Sequence, residues 1–153
     1  MGNLAVPVAG YILTPLKRIH TPKGDVMHCI KASDQGFAGF GEAYVSRIHC
    51  GEIKGWKRHL RMTLNLTVLS GAVRFVGYHS SNRNDPLLDV VISPDTAAAY
   101  MRLTVAPGVW LAFRGEAPGE SIVLNVASIE HDPQEAETVE AGAFAFPPSL
   151  VPQ

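Results

Sequence analysis

Proline and glycine interrupt this chain every few residues, with 11 prolines and 14 glycines among 153 positions. Such punctuation leaves no room for long helices and favours many short strands joined by turns. Between the breaks, runs at 26–32, 42–50, 72–79, 87–92, 100–105, 109–113 and 121–129 read as strands, several with polar and apolar residues in alternation. Period two marks a strand with one buried face. About ten such runs at near-regular spacing predict an all-β sandwich or barrel.

Size and composition set the outer bounds. A chain of 153 residues is one domain of common size, long enough to bury a core. With 46% hydrophobic residues, 18% charged residues and a net charge of -1, it has no basic excess to suggest nucleic acid. No apolar run reaches membrane-spanning length. The start lacks the basic and apolar regions of a signal peptide. Cys29 and Cys50 form no C-x-x-C pair, so free thiols in a reducing cytosol are expected. The expectation is a cytoplasmic protein without membrane or nucleic-acid partners. Its parts are an N-terminal arm (1–23), a barrel (24–133), and an acidic, then proline-rich tail (134–153), ordered in part at most. Pro7 confines the arm to an edge or irregular position.

The stretch from Gly51 to Gly71 carries the densest chemistry. Its alternation places Lys57, His59, Arg61 and Thr63 on one face, and Arg58, Leu60, Met62 and Leu64 on the other. Three potential cations on one strand face suit an anion-binding cavity; a solvated sheet face is the plainer alternative. The run 72–79 is expected to return as a hairpin partner, turning at Ser70-Gly71.

The spacing resembles the two motifs of double-Greek-key barrels of the cupin type. Gly51 and Gly71 take the ends of the first motif, Lys57 and His59 its two His positions, and Leu64 its Glu position. The second motif falls on 106–111, with Leu111 where its His belongs. The resemblance implies a double-stranded β-helix, or jelly-roll barrel. One His among four ligand positions cannot hold a transition metal, which needs three or four N, O or S donors. No metal or other cofactor is expected.

The phrases IKGWKRHLRMT, VAPGVWLAF and NVASIEHDP together resemble the deoxysugar-nucleotide epimerase and ketoisomerase family, whose type activity is dTDP-4-dehydrorhamnose 3,5-epimerase. The likeness spans Gly24 to about Pro133. It implies a nucleoside diphosphate 4-keto-sugar as partner, a homodimer that exchanges N-terminal strands, and a role in cell-surface polysaccharide biosynthesis. The family's chemistry is proton abstraction beside the C4 ketone, which needs a base, an acid and a cation near the enolate. Lys57 stands where the family has its basic His, and Asn125 where it has its acidic Tyr. The resemblance therefore implies an isomerase with a changed toolkit, in which Lys57 or His59 is the base. The alternatives are a barrel that binds a sugar nucleotide or other anionic ligand without transforming it and, third in order, an enzyme of a different class, such as a metal-dependent cupin, on the same barrel. Lys54, Arg61, Asn125 and Tyr44 are the expected substrate contacts. Arg74 and Arg102 would add phosphate ligands if they face the cavity.

Overall fold

The computed structural model describes residues 6–79 and 83–148. Among them the strands are β1 (Val6–Val8), β2 (Tyr11–Pro15), β3 (Arg18–Ile19), β4 (Val26–Met27), β5 (Glu42–His49), β6 (Ile53–His59) and β7 (Leu64–Ser70). There follow β8 (Val73–Tyr78), β9 (Leu88–Ile92), β10 (Met101–Val105), β11 (Trp110–Gly115), β12 (Glu120–Ala127) and β13 (Ala136–Thr138). The helical elements described are single 3₁₀ turns, at Ala97–Ala99, Pro133–Glu135 and Ala141–Ala143. No helix among the described residues is long and apolar enough to cross a membrane.

Two antiparallel sheets make the barrel. The larger has strand order β1-β2-β10-β7-β12-β5, the smaller β13-β6-β11-β8-β9. Apolar faces of both meet in a core that includes Tyr11, Val68, Phe75, Leu103, Leu111 and Val123. This is the cupin-type jelly roll that the motif resemblance implies, within the all-β class that the strand pattern predicts. The arm belongs to the same sheet: β2 pairs with β10, from Tyr11 opposite Val105 to Pro15 opposite Met101.

Four local expectations need correction. First, β7 and β8 are not a hairpin, because they lie in different sheets. At Gly71 the chain turns a corner between sheets: φ is +83°, and a Cβ there would fall 2.3 Å from Ser121 Oγ. That hydroxyl accepts from the Ala72 amide and donates to the Ala72 carbonyl. A Ser-Gly turn signal does not distinguish a hairpin from a corner.

Second, the strand expected from 26 shrinks to Val26–Met27, because the following loop folds over the outer face of the larger sheet around Arg102. Third, β6 stops at His59 instead of alternating through Thr63. The amides of Leu60, Arg61 and Met62 bond to Glu135, through its carbonyl and its carboxylate, so the chain bends there.

Fourth, the C-terminal segment is no loose tail. β13 pairs with β6, and the residues after it cross the outer face of the smaller sheet. Phe144 sits against Trp56, Tyr78 and Trp110, with ring centroids 5.1–5.5 Å apart. Every residue of β8 is therefore buried, on both sheet faces. Trp56 and Trp110 belong to this outer cluster and do not face the barrel interior.

Candidate functional site in the barrel

Between the sheets lies a cavity of about 270 Å³. The larger sheet contributes Tyr44 and Ser46 from β5, Leu64 and Leu66 from β7, and Val123 and Asn125 from β12. The smaller sheet contributes Lys54, Gly55, Lys57 and His59 from β6, with Leu111 and Phe113 from β11. The four positions that match cupin metal ligands, Lys57, His59, Leu64 and Leu111, thus line one space. Among the described residues, no three His, Cys, Asp or Glu side chains converge on a point.

Lys54 and Lys57 both face this cavity although they are three residues apart, a spacing that would put them on opposite faces of a regular strand. A β-bulge resolves the conflict. Leu111 pairs with Lys57 and Phe113 with Lys54, so Gly55 and Trp56 together oppose Ala112. A bulge resets the side-chain alternation. Gly55 has φ +135°, and a Cβ there would lie 2.6 Å from Ala112 Cβ, so only glycine fits. Lys54 Nζ donates to the Arg47 carbonyl at the exposed end of the cavity. Lys57 is half-buried, and its ammonium has no partner among the described residues.

His59 is 8% exposed and hydrogen-bonded through Nδ1 to Glu135 Oε1. Glu135, 3% exposed, also accepts from the amides of Arg61 and Met62. Burial alone would raise its pKa. The His59 ring and the two amides outweigh burial and hold the carboxyl below its usual value. An ionised carboxylate only accepts, so the neutral ring carries its proton on Nδ1. Nε2, without a partner among the described residues, is left with a lone pair. The arrangement suits a general base.

On the opposite wall, Asn125 pairs with Tyr44 across β12 and β5. Asn125 Oδ1 accepts from the Asn65 amide at 3.1 Å, and Nδ2 donates to the Tyr44 hydroxyl at 3.0 Å. The phenolic oxygen is thereby used as an acceptor. Its own O–H has no acceptor among the described residues and is free to donate.

The structure separates the eight sequence-predicted site residues into two groups. Lys54, Lys57, His59, Tyr44 and Asn125 converge on the cavity. Arg61, Arg74 and Arg102 do not. Arg61 lies past the end of β6, exposed, and pairs with Asp132 at 3.1 Å. Arg74 points to the outer face of the smaller sheet, forks onto Asp89 and donates to the carbonyls of Pro147 and Pro148. Arg102 is on the outer face of the larger sheet, fully buried under the 29–35 loop. Sequence reasoning missed Glu135, which it assigned to the tail. One signal was available: Asp132-Pro133 is a helix start, and Asp132 indeed accepts from the Gln134 amide.

The barrel that carries this site has counterparts among solved structures. The chain is similar to a dTDP sugar isomerase from Desulfovibrio desulfuricans G20, with 30% identity, TM-score 0.79, and 94% and 93% of the two chains covered. It therefore belongs to the deoxysugar-nucleotide isomerase family of cupin-type barrels, which embraces epimerases and ketoisomerases. The same fold appears in the dTDP-4-dehydrorhamnose 3,5-epimerase of Sulfolobus tokodaii (16% identity, TM-score 0.77, 96% and 87% covered). It also appears in QdtA, a sugar 3,4-ketoisomerase from Thermoanaerobacterium thermosaccharolyticum bound to TDP (17%, 0.69, 84% and 87%). Neither the protein-family models nor the curated protein sequences give a match.

Proposed function

We propose that this protein is an isomerase of a nucleoside diphosphate 4-keto-deoxysugar, with dTDP as the favoured nucleotide, and that His59 is its base. The observation that carries this reading is the His59–Glu135 pair, buried at the wall of a cavity whose opposite wall holds the Tyr44 hydroxyl. Nε2 of His59 removes the proton from the carbon beside the C4 ketone. The Lys57 ammonium, on the same wall two residues away, stabilises the enolate oxygen. Tyr44 returns a proton, with Asn125 holding its oxygen. Lys57 is the poorer candidate for the base because its ammonium would first have to lose a proton, and no described residue beside it accepts one.

At about 270 Å³ the cavity is below the usual range for a whole drug-sized ligand, roughly 300–1,000 Å³. It suits the sugar, with the diphosphate and nucleoside leaving past Lys54. Leu64, Leu66, Leu111, Phe113 and Val123 give an apolar lining that suits a deoxysugar. A cytoplasmic homodimer supplying precursors for cell-surface polysaccharide completes the proposal, on the strength of the resemblance.

The test is exchange of solvent deuterium into a dTDP-4-keto-6-deoxysugar. His59→Gln is expected to lower exchange by about 10²–10⁴-fold while nucleotide binding persists. Tight dTDP binding with no exchange by the unaltered protein would instead identify a non-catalytic binding barrel. Exchange that survives His59→Gln and collapses in Lys57→Ala would move the role to Lys57.

A further inference from the structure

Glu135 reaches His59 from a segment that follows the barrel strands. The segment between Ala136 and Pro148 is fastened at several points behind the wall that carries Lys57 and His59. In β13, Ala136 pairs with His59 and Thr138 with Lys57. Farther on, the Val139 amide donates to the Trp56 carbonyl and Trp56 Nε1 to the Ala141 carbonyl. The Tyr78 hydroxyl donates to the Ala145 carbonyl at 2.6 Å. Phe144, 3% exposed, is the anchor of this run, with three aromatic rings around it.

Residues on β6 thus have two neighbours of opposite kind. Their inward side chains meet the cavity, and the outward side chains of Trp56 and Arg58 meet this strap. β13 begins at the residue after Glu135, so the strap and the carboxylate belong to one continuous run of chain.

We propose that Phe144 is a positioning residue for the base: by seating the strap, it holds Glu135 on Nδ1 of His59 and so fixes the tautomer that leaves Nε2 unprotonated. A neutral histidine side chain in water prefers the opposite tautomer, with the proton on Nε2, so the preference has to be imposed. An aromatic anchor on the outer face of the sheet, behind the wall of the cavity, then sets the state of the reacting nitrogen. The inference deepens the reading of His59 as base and rests on it for its catalytic consequence, but the tautomer itself is measurable without substrate.

The experiment is ¹⁵N NMR of histidine-labelled protein at a pH where the ring is neutral, paired with deuterium exchange. The unaltered protein is expected to show His59 protonated on Nδ1. Phe144→Ala is expected to shift the ratio of tautomers towards Nε2–H in the same direction as Glu135→Gln. It should slow exchange by about tenfold, as expected for lost orientation, with dTDP affinity retained. Phe144→Leu, which keeps most of the apolar contact, should recover most of both effects. A folded Phe144→Ala with the original tautomer ratio overturns the proposal, and so does loss of dTDP binding in parallel with the rate. If Phe144→Ala does not fold, Tyr78→Phe removes the single bond to the Ala145 carbonyl. A smaller shift in the same direction is then expected, and no shift overturns the proposal. Should the unaltered protein exchange no deuterium at all, the isomerase reading fails, and the NMR result still decides the role of the strap.

Discussion

Two polar clusters sit on opposite faces of the larger sheet, and both look functional by residue type. On the outer face, Arg102 uses every donor it has. Nε bonds to Asn65 Oδ1, one terminal nitrogen to the Cys29 carbonyl and Asp34, and the other to Thr14 Oγ1 and the Gln35 carbonyl. Thr104 Oγ1 closes the group by donating to the same Asn65 oxygen. On the inner face, Asn125 is equally well satisfied, but among the described residues the Tyr44 O–H beside it has no acceptor, and Lys57 Nζ and His59 Nε2 across the cavity have no partner. A satisfied buried cluster specifies packing. A cluster that keeps one free donor, one free cation and one free lone pair around a space is ready for a ligand. Counting unused hydrogen-bond capacity, more than counting charges, separates the two.

That distinction breaks first at Arg102. Arg102→Met should cost about 3–5 kcal/mol of stability, because it strands Asp34 and the loop carbonyls, yet leave dTDP affinity unchanged. A urea titration and a binding isotherm check it; weakened binding with stability preserved would erase the contrast. Next comes Tyr44→Phe, which removes the unpaired O–H and also the acceptor of Asn125 Nδ2. Exchange should fall by about 10²-fold, near 2.7 kcal/mol in barrier height, with a stability loss of about 1 kcal/mol for the stranded amide. An unchanged rate would show that the free phenol is idle.

The smallest effect concerns pH. Glu135 has its folded pKa held below the ordinary glutamate value, so its stabilising contribution is complete above that value and lost as pH falls through the folded one. Stability of the unaltered protein should therefore drop on acidification below about pH 4.3. In Glu135→Gln the drop in that window should be shallower, from a neutral-pH stability lower by about 1–2 kcal/mol. Parallel curves for the two proteins would mean that the carboxylate is not held by the pair.

The barrel was legible because its signals are local and repeated. Glycine, proline and alternation at 42–50, 100–105 and 121–129 matched β5, β10 and β12 closely. Within the site, Lys57 and His59 were legible for the same reason: they alternate along one strand. The arginines were not. Arg74 and Arg102 also alternate among apolar neighbours, but period two says only that a residue faces one side of a sheet, not whether that side is the cavity, a covering loop or a strap. Glu135 was hidden for a different reason. Its role depends on a partner 76 positions earlier, and its own neighbourhood, QEAETVEAG, has the composition of solvated chain. Aromatic residues past Gly142 are what turn that composition into packed structure.

The 76 positions between His59 and Glu135 also decide what a shortened chain would lose. A chain cut after Ala127 retains β1 to β12, and with them every strand of both barrel sheets except the edge strand β13. Tyr44, Lys57 and Asn125 all lie on those strands, and Glu135 does not. The carboxylate on His59 is therefore the one part of the polar cluster that such a cut removes.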